Sequence, residues 1–213
     1  RDGLDYLEDY VDDQVSDTIE MLFGAGHEDM GAFTAAKVLK HEPGTVFNYS
    51  SGTTNLISRI VADVVGRGDE YEAFMRQRLF APLGMRSATP GFDGSGVFVG
   101  SSYVHATARD FARFGLLYLR GGEWDGQRLL SRRWIDTAQT PLSHDPESGT
   151  YYSWQWWVMA DEFGTYAANG YDGQMTVVVP ALDAVIVRLG RTPAERNAEL
   201  RAWRDRLISA LRP

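Results

Sequence analysis

Residues 41–52 read His41-Glu42-Pro43-Gly44-Thr45-Val46-Phe47-Asn48-Tyr49-Ser50-Ser51-Gly52. Pro43-Gly44 is a turn signal. A short apolar and aromatic run follows it and ends in Tyr-Ser-Ser-Gly. From Thr53 to Val65, Leu56, Ile57, Ile60, Val61, Val64 and Val65 then recur as one apolar stripe, and Gly66 ends the helix they predict. Turn, run and helix together set a tyrosine and two serines at the start of an amphipathic helix.

Working outward, the periodicity upstream predicts a short helix over Asp12 to Phe23, stopped at Gly24, on Val15, Ile19 and Leu22. Downstream, Glu70 to Leu79 reads as a helix before the turn Ala81-Pro82-Leu83-Gly84-Met85. Thr107-Ala108-Arg109-Asp110 reads as a capping box for a helix carrying Phe111, Phe114, Leu117 and Tyr118, ended by Gly121-Gly122. Ser131 caps one more, through Trp134 and Ile135 to Ala138.

After Thr150 the texture changes. Tyr151 to Val158, Thr165 to Ala168, Gln174 to Val179 and Ala184 to Leu189 are β-branched or aromatic runs between turn residues, read as antiparallel strands. Thr192-Pro193-Ala194-Glu195 opens a final helix with an N-cap and an early Pro. Its expected buried face is Leu200, Trp203, Leu207 and Leu211. The organisation is a mostly helical part, 1–150, followed by strands and a covering helix, 151–213. That is an α/β (α+β) chain with an antiparallel sheet flanked by helices.

At 213 residues and 44% apolar, the chain can bury a substantial core. It has no cysteine, so disulfides, thiolate metal sites and a cysteine nucleophile are excluded. His27, His41, His105 and His144 lack metal-ligand spacing, and no metal or organic cofactor is expected. No run approaches the roughly 18 apolar residues of a membrane span. The formal charge is −8 and is concentrated in the first thirty residues, so nucleic-acid binding has no electrostatic support. The acidic opening itself reads as a solvated surface segment. Lys37 and Lys40 are the only lysines. Nothing in these residues separates a cytoplasmic from a periplasmic or secreted location.

Several further elements fall in order with the Tyr-Ser-Ser segment: Leu79-Phe-Ala-Pro-Leu-Gly-Met85, Thr107-Ala-Arg-Asp-Phe-Ala-Arg-Phe-Gly115 and Gly170-Tyr-Asp-Gly-Gln174. Together they resemble serine hydrolases of the β-lactamase and penicillin-binding-protein superfamily. The likeness is to the class C β-lactamase-like branch of esterases and 6-aminohexanoate oligomer hydrolases. Asp2-Gly3-Leu4-Asp5-Tyr6 is similar to a segment that in the family follows the nucleophile region.

The resemblance implies a class C β-lactamase or DD-peptidase-like fold, incomplete at its N-terminus, and opening of an amide or ester through an acyl-serine. It gives Tyr49 a proton-transfer role and puts Ser51 where the family has Asn or Ser. It sets the Gln174 N–H at the oxyanion and Tyr171 facing the pocket. Gly173 leaves room for substrate, and Tyr6 makes a substrate contact. Tyr171 departs from the family's Lys or His, which favours ester or neutral amide substrates over a β-lactam carboxylate.

The family's Ser-x-x-Lys occurs nowhere in the 213 residues. Thr34-Ala-Ala-Lys37 copies its spacing, but carries Thr and lies too close before Tyr49. The implied nucleophile therefore belongs to an upstream segment, a partner of these residues in cis or in trans, and the chain alone is expected to be inert. The rival expectation is a non-catalytic protein that keeps the fold for binding. Each residue also has a plain reading: Tyr49 suits a buried turn, Gly-Tyr-Asp-Gly suits a plain turn, and of Trp154, Trp156 and Trp157, candidates to line a cleft, a buried strand explains at least two.

Overall fold

The computed structural model describes residues 1–9, 16–146 and 148–212. They fall into two compact units: 1–78 with 88–105, and 79–87 with 106–213. The change at residue 150 is therefore one of local texture and does not divide the units, because two of the preceding helices pack on the sheet that follows.

The first unit holds α1 (Asp17–Phe23), α2 (Met30–Ala35), α3 (Ser51–Val65), α4 (Asp69–Met75) and the two-residue strands β1 (Thr89–Pro90) and β2 (Val104–His105). Residues 12–15 of the expected first helix lie outside the described residues. Hydroxyl and carboxylate caps set the helix starts: Ser16 accepts from Ile19 N, Asp29 from Ala32 N and Ser50 from Thr53 N. Tyr6, Met21, Leu22, Met30 and Val99 make one core. Ala62, Tyr71 and Val97 make a second, with Phe92 and Phe98 edge-on to Tyr71 at 6.1 and 6.0 Å.

Helix α3 turns only part of its apolar stripe inward, with Val61 and Val65 packed on the Ala62, Tyr71 and Val97 core. Its buried face is Ser51, Gly52, Asn55, Ser58 and Ala62, while Ile57, Ile60 and Val64 are exposed. The polar side chains go inside because partners wait there. Ser58 Oγ donates to the Phe98 carbonyl at 2.6 Å and lies 3.0 Å from the Tyr71 hydroxyl. Asn55 Nδ2 donates to Ser101 Oγ at 3.1 Å. Thr34, in α2, is fully buried and donates to the Met30 carbonyl, and Lys37 pairs with Asp17. The Thr34–Lys37 spacing is thus structural.

The second unit holds α5 (Ala81–Leu83), α6 (Ala108–Leu119), the hairpin β3 (Glu123–Trp124) with β4 (Gln127–Arg128), and α7 (Arg132–Gln139). Then come β5 (Ser143–His144), β6 (Tyr151–Tyr152), β7 (Trp157–Val158), β8 (Tyr166–Gly170), β9 (Gln174–Val179), β10 (Ala184–Arg188) and α8 (Asn197–Ala210). Strands β5 to β10 form an antiparallel meander in sequence order. The run expected as one strand over 151–158 is two, β6 and β7, folded back across a turn in which Gln155 is left-handed.

One sheet face packs on α6 and α7 through Tyr118, Ile135, Ala138, Trp156, Tyr166 and Val178. The other packs on α8 through Met175, Val177, Val179 and Ile208. Gly115 allows α6 its close approach, since a Cβ there would lie 2.6 Å from Val185 Cγ1. On α8, Ile208 is the buried anchor, whereas the expected Trp203 and Leu211 are exposed.

Candidate active site

In the first unit the site is built at the start of α3. Asn48 Nδ2 donates to the Tyr6 carbonyl at 3.2 Å, which ties the run before the helix to the N-terminal segment. Ser50 caps the helix and Ser51 is its first residue. Ser51 Oγ donates to Glu8 Oε1 at 2.6 Å, and Ser51 N donates to Glu8 Oε2 at 2.7 Å. Thr18 Oγ1 donates to the same Oε2 at 2.9 Å and lies 3.2 Å from the Tyr6 hydroxyl. A carboxylate therefore sits on the N-terminal turn of a fifteen-residue helix, where unspent N–H groups and the helix dipole favour negative charge.

Tyr49 is 37% exposed, and burial of part of its ring, with the Glu8 carboxylate nearby, pushes its phenol up to about 12. Tyr6 is only 4% exposed, and burial pushes its phenol further still, against the hydrogen bond from Thr18. Gly52 is required by that packing, because a Cβ there would meet Tyr6 Cε2 at 2.6 Å. Tyr6 thus supports the start of α3 from within the core.

In the second unit Tyr171, Gly173 and Gln174 lie on the turn between β8 and β9. Asp172 (φ 57°) and Gly173 (φ 80°) are both left-handed. Tyr171 is 68% exposed on this turn. Two features differ from expectation. The Gln174 N–H donates to the Tyr171 carbonyl, so the tight turn takes up the donor that was to meet an oxyanion. The room at Gly173 is also filled: a Cβ there would lie 2.5 Å from Leu200 Cδ2 and 3.1 Å from Arg188 Nη1. The Gln174 side chain clamps Gly190, donating to its carbonyl at 2.7 Å and accepting from its N–H at 2.9 Å. Arg188 Nη1 adds a bond to the Gly173 carbonyl at 2.7 Å.

The two groups of residues belong to different units. Among the described residues, no group of three His, Asp or Glu side chains could hold a metal ion, and no helix is long and apolar enough to cross a membrane.

The sequence profile of the beta-lactamase family matches residues 2–210. The chain belongs to that family. Among curated relatives of this beta-lactamase family chain is the 6-aminohexanoate-dimer hydrolase of Paenarthrobacter ureafaciens. It is 30% identical, over 94% of this chain and 54% of the relative. A solved Bacillus anthracis structure, provisionally assigned as a 6-aminohexanoate-dimer hydrolase, superposes with a TM-score of 0.74. It is 25% identical over 85% of this chain and 48% of its own. A Mycobacterium bovis beta-lactamase shares the fold, with a TM-score of 0.64 and 18% identity over 87% of this chain and 70% of its own. The chain spans about half the length of the first two. The fold expected from the motifs is the fold these structures share.

Glu8 is the residue that the sequence reading overlooked. It sits among Asp2, Asp5, Asp9, Asp12 and Asp13, and a carboxylate in such a run looks solvated. Its only signal was position, two residues after Tyr6.

Proposed function

We propose that these residues are the part of a serine hydrolase that carries proton transfer and substrate contacts, acting on amide or ester bonds through an acyl-serine intermediate. The observation that carries the reading is the Tyr49-Ser50-Ser51 start of α3 in a beta-lactamase family chain, with Tyr49 partly open to solvent and Ser51 fixed by Glu8. A phenol held at about 12 stays protonated at neutral pH. It can give a proton to a leaving amine or alcohol, but it cannot take one from a serine. An ammonium within hydrogen-bond reach favours the phenolate, and a lysine one helical turn after the serine supplies it. Ser-x-x-Lys is not among these 213 residues. Acyl transfer therefore requires it from a further segment, and the 213 residues alone are inert.

In the complete reaction the serine oxygen attacks the carbonyl, and its proton passes to Tyr49, held as phenolate beside the lysine ammonium, and from Tyr49 to the leaving group. Water then takes the acyl group from the serine. Ester and neutral amide substrates, including 6-aminohexanoate-type amides, fit a turn that presents Tyr171 in place of a cation. A polypeptide joining a Ser-x-x-Lys segment to these residues is expected to hydrolyse p-nitrophenyl esters. Tyr49→Phe should lower kcat about a hundredfold or more while KM changes little. An unchanged kcat in the Phe variant contradicts the role of Tyr49, and no turnover in the joined wild-type polypeptide favours a binding protein.

A further inference from the structure

The second unit contains a cleft of about 460 Å³ lined by Gly84, Arg86, Ser87, Thr107, Arg109, Asp110 and Arg113. It is open to solvent and lined by polar and charged residues. None of the residues given a role in hydrolysis lines it. Arg86, Arg109 and Arg113 line it together with one carboxylate, and that carboxylate is already committed. Asp110 Oδ2 accepts from Ser87 N at 2.8 Å and from Ser87 Oγ at 2.6 Å, while Oδ1 accepts from Arg113 Nη1 at 2.6 Å. Burial of Asp110 opposes its ionisation, but the Ser87 bonds and Arg113 outweigh it and hold the carboxyl below its usual range. Arg86 and Arg109 are exposed, and neither guanidinium makes an ion pair or hydrogen bond among the described residues. The cleft therefore keeps two uncommitted positive charges in a chain whose formal charge is −8.

We propose that this cleft binds a phosphate-type dianion, as inorganic phosphate or as the phosphate of a small monoester. Two free guanidinium forks match a dianion, whereas a carboxylate is satisfied by one. The Thr107 hydroxyl lines the same space as a further hydrogen-bonding group. A nucleic-acid strand needs an extended basic track, which a single cleft on an acidic chain does not offer.

The test is calorimetric titration of the 213-residue chain with inorganic phosphate in chloride buffer at fixed ionic strength, with phenyl phosphate as a second arm. Saturable one-to-one binding is expected, weakened about tenfold or more in the Arg86→Ala, Arg109→Ala double variant. Arg201→Ala, which removes an exposed arginine on α8, should leave the affinity unchanged. Tighter binding of phenyl phosphate identifies a monoester as the ligand, and equal binding identifies inorganic phosphate. Circular dichroism verifies that the variants are folded, and the double Arg→Lys variant, which keeps both charges but loses the forks, should fall between the two. No saturable binding, equal affinity in the double Ala variant, or the same loss in Arg201→Ala overturns the proposal.

Discussion

Glu8 concentrates several effects in one side chain. It satisfies a helix N–H, orients the Ser51 hydroxyl and raises Tyr49. Glu8→Ala removes the acceptor of three part-buried donors, Ser51 N, Ser51 Oγ and Thr18 Oγ1, and should cost about 1–3 kcal/mol in urea unfolding, as bonds to charged groups typically do. Glu8→Gln keeps much of the packing but removes the charge, so the Tyr49 phenol should titrate lower. The readout is the 295 nm absorbance difference between the variant with Tyr49 and the same variant carrying Tyr49→Phe. The folded phenol is held above the ordinary value near 10 of an unfolded chain. The stability it contributes is therefore complete below about pH 10 and is lost as pH rises toward about 12. A Tyr49 midpoint near 10 in the folded wild-type chain contradicts this environment. No property of the letter Glu at position 8 announces these roles. They depend on Ser51, forty-three residues away.

At the scale of elements, α3 teaches the most. Its apolar stripe was legible as periodicity, but periodicity does not say which face is covered. Ser58 and Asn55 go inside because Tyr71, the Phe98 carbonyl and Ser101 supply bonds from distant parts of the chain. Ser58→Ala should therefore cost about 1–2 kcal/mol, while Ile60→Ser and Val64→Ser, on the exposed face, should each stay within about 0.5 kcal/mol. Helix α6 was read correctly in its start, since Thr107 accepts from Asp110 N at 3.4 Å. The reciprocal arm differs: Asp110 turns to Ser87, and Thr107 N donates to Ser87 Oγ at 2.9 Å. The β8–β9 turn was legible from Gly-Tyr-Asp-Gly, yet its use of Gly173 was not, because Leu200 and Arg188 enter from elsewhere. Gly173→Ala combines a left-handed φ with contact at 2.5 Å, and a loss of about 2 kcal/mol or more is expected in the same unfolding assay.

At the scale of the whole molecule, the family was legible in four short segments taken in order, Tyr-Ser-Ser-Gly, Ala-Pro-Leu-Gly-Met, Thr-Ala-Arg-Asp and Gly-Tyr-Asp-Gly. The division into units was less legible, because the packing of Tyr118 and Ile135 on the later Trp156, Tyr166 and Val178 is written in no local run. The chain spans 54% of its Paenarthrobacter relative, and its two lysines stand in no Ser-x-x-Lys. The role proposed for these residues is the proton-transfer side of an acyl-serine reaction, with the nucleophile supplied by another segment. Intact-mass spectrometry of the 213-residue chain after incubation with a p-nitrophenyl ester tests it most directly. A single species at the unmodified 23.8 kDa and no burst of nitrophenol are expected. A stoichiometric acyl adduct that turns over would place a nucleophile within these residues and contradict it.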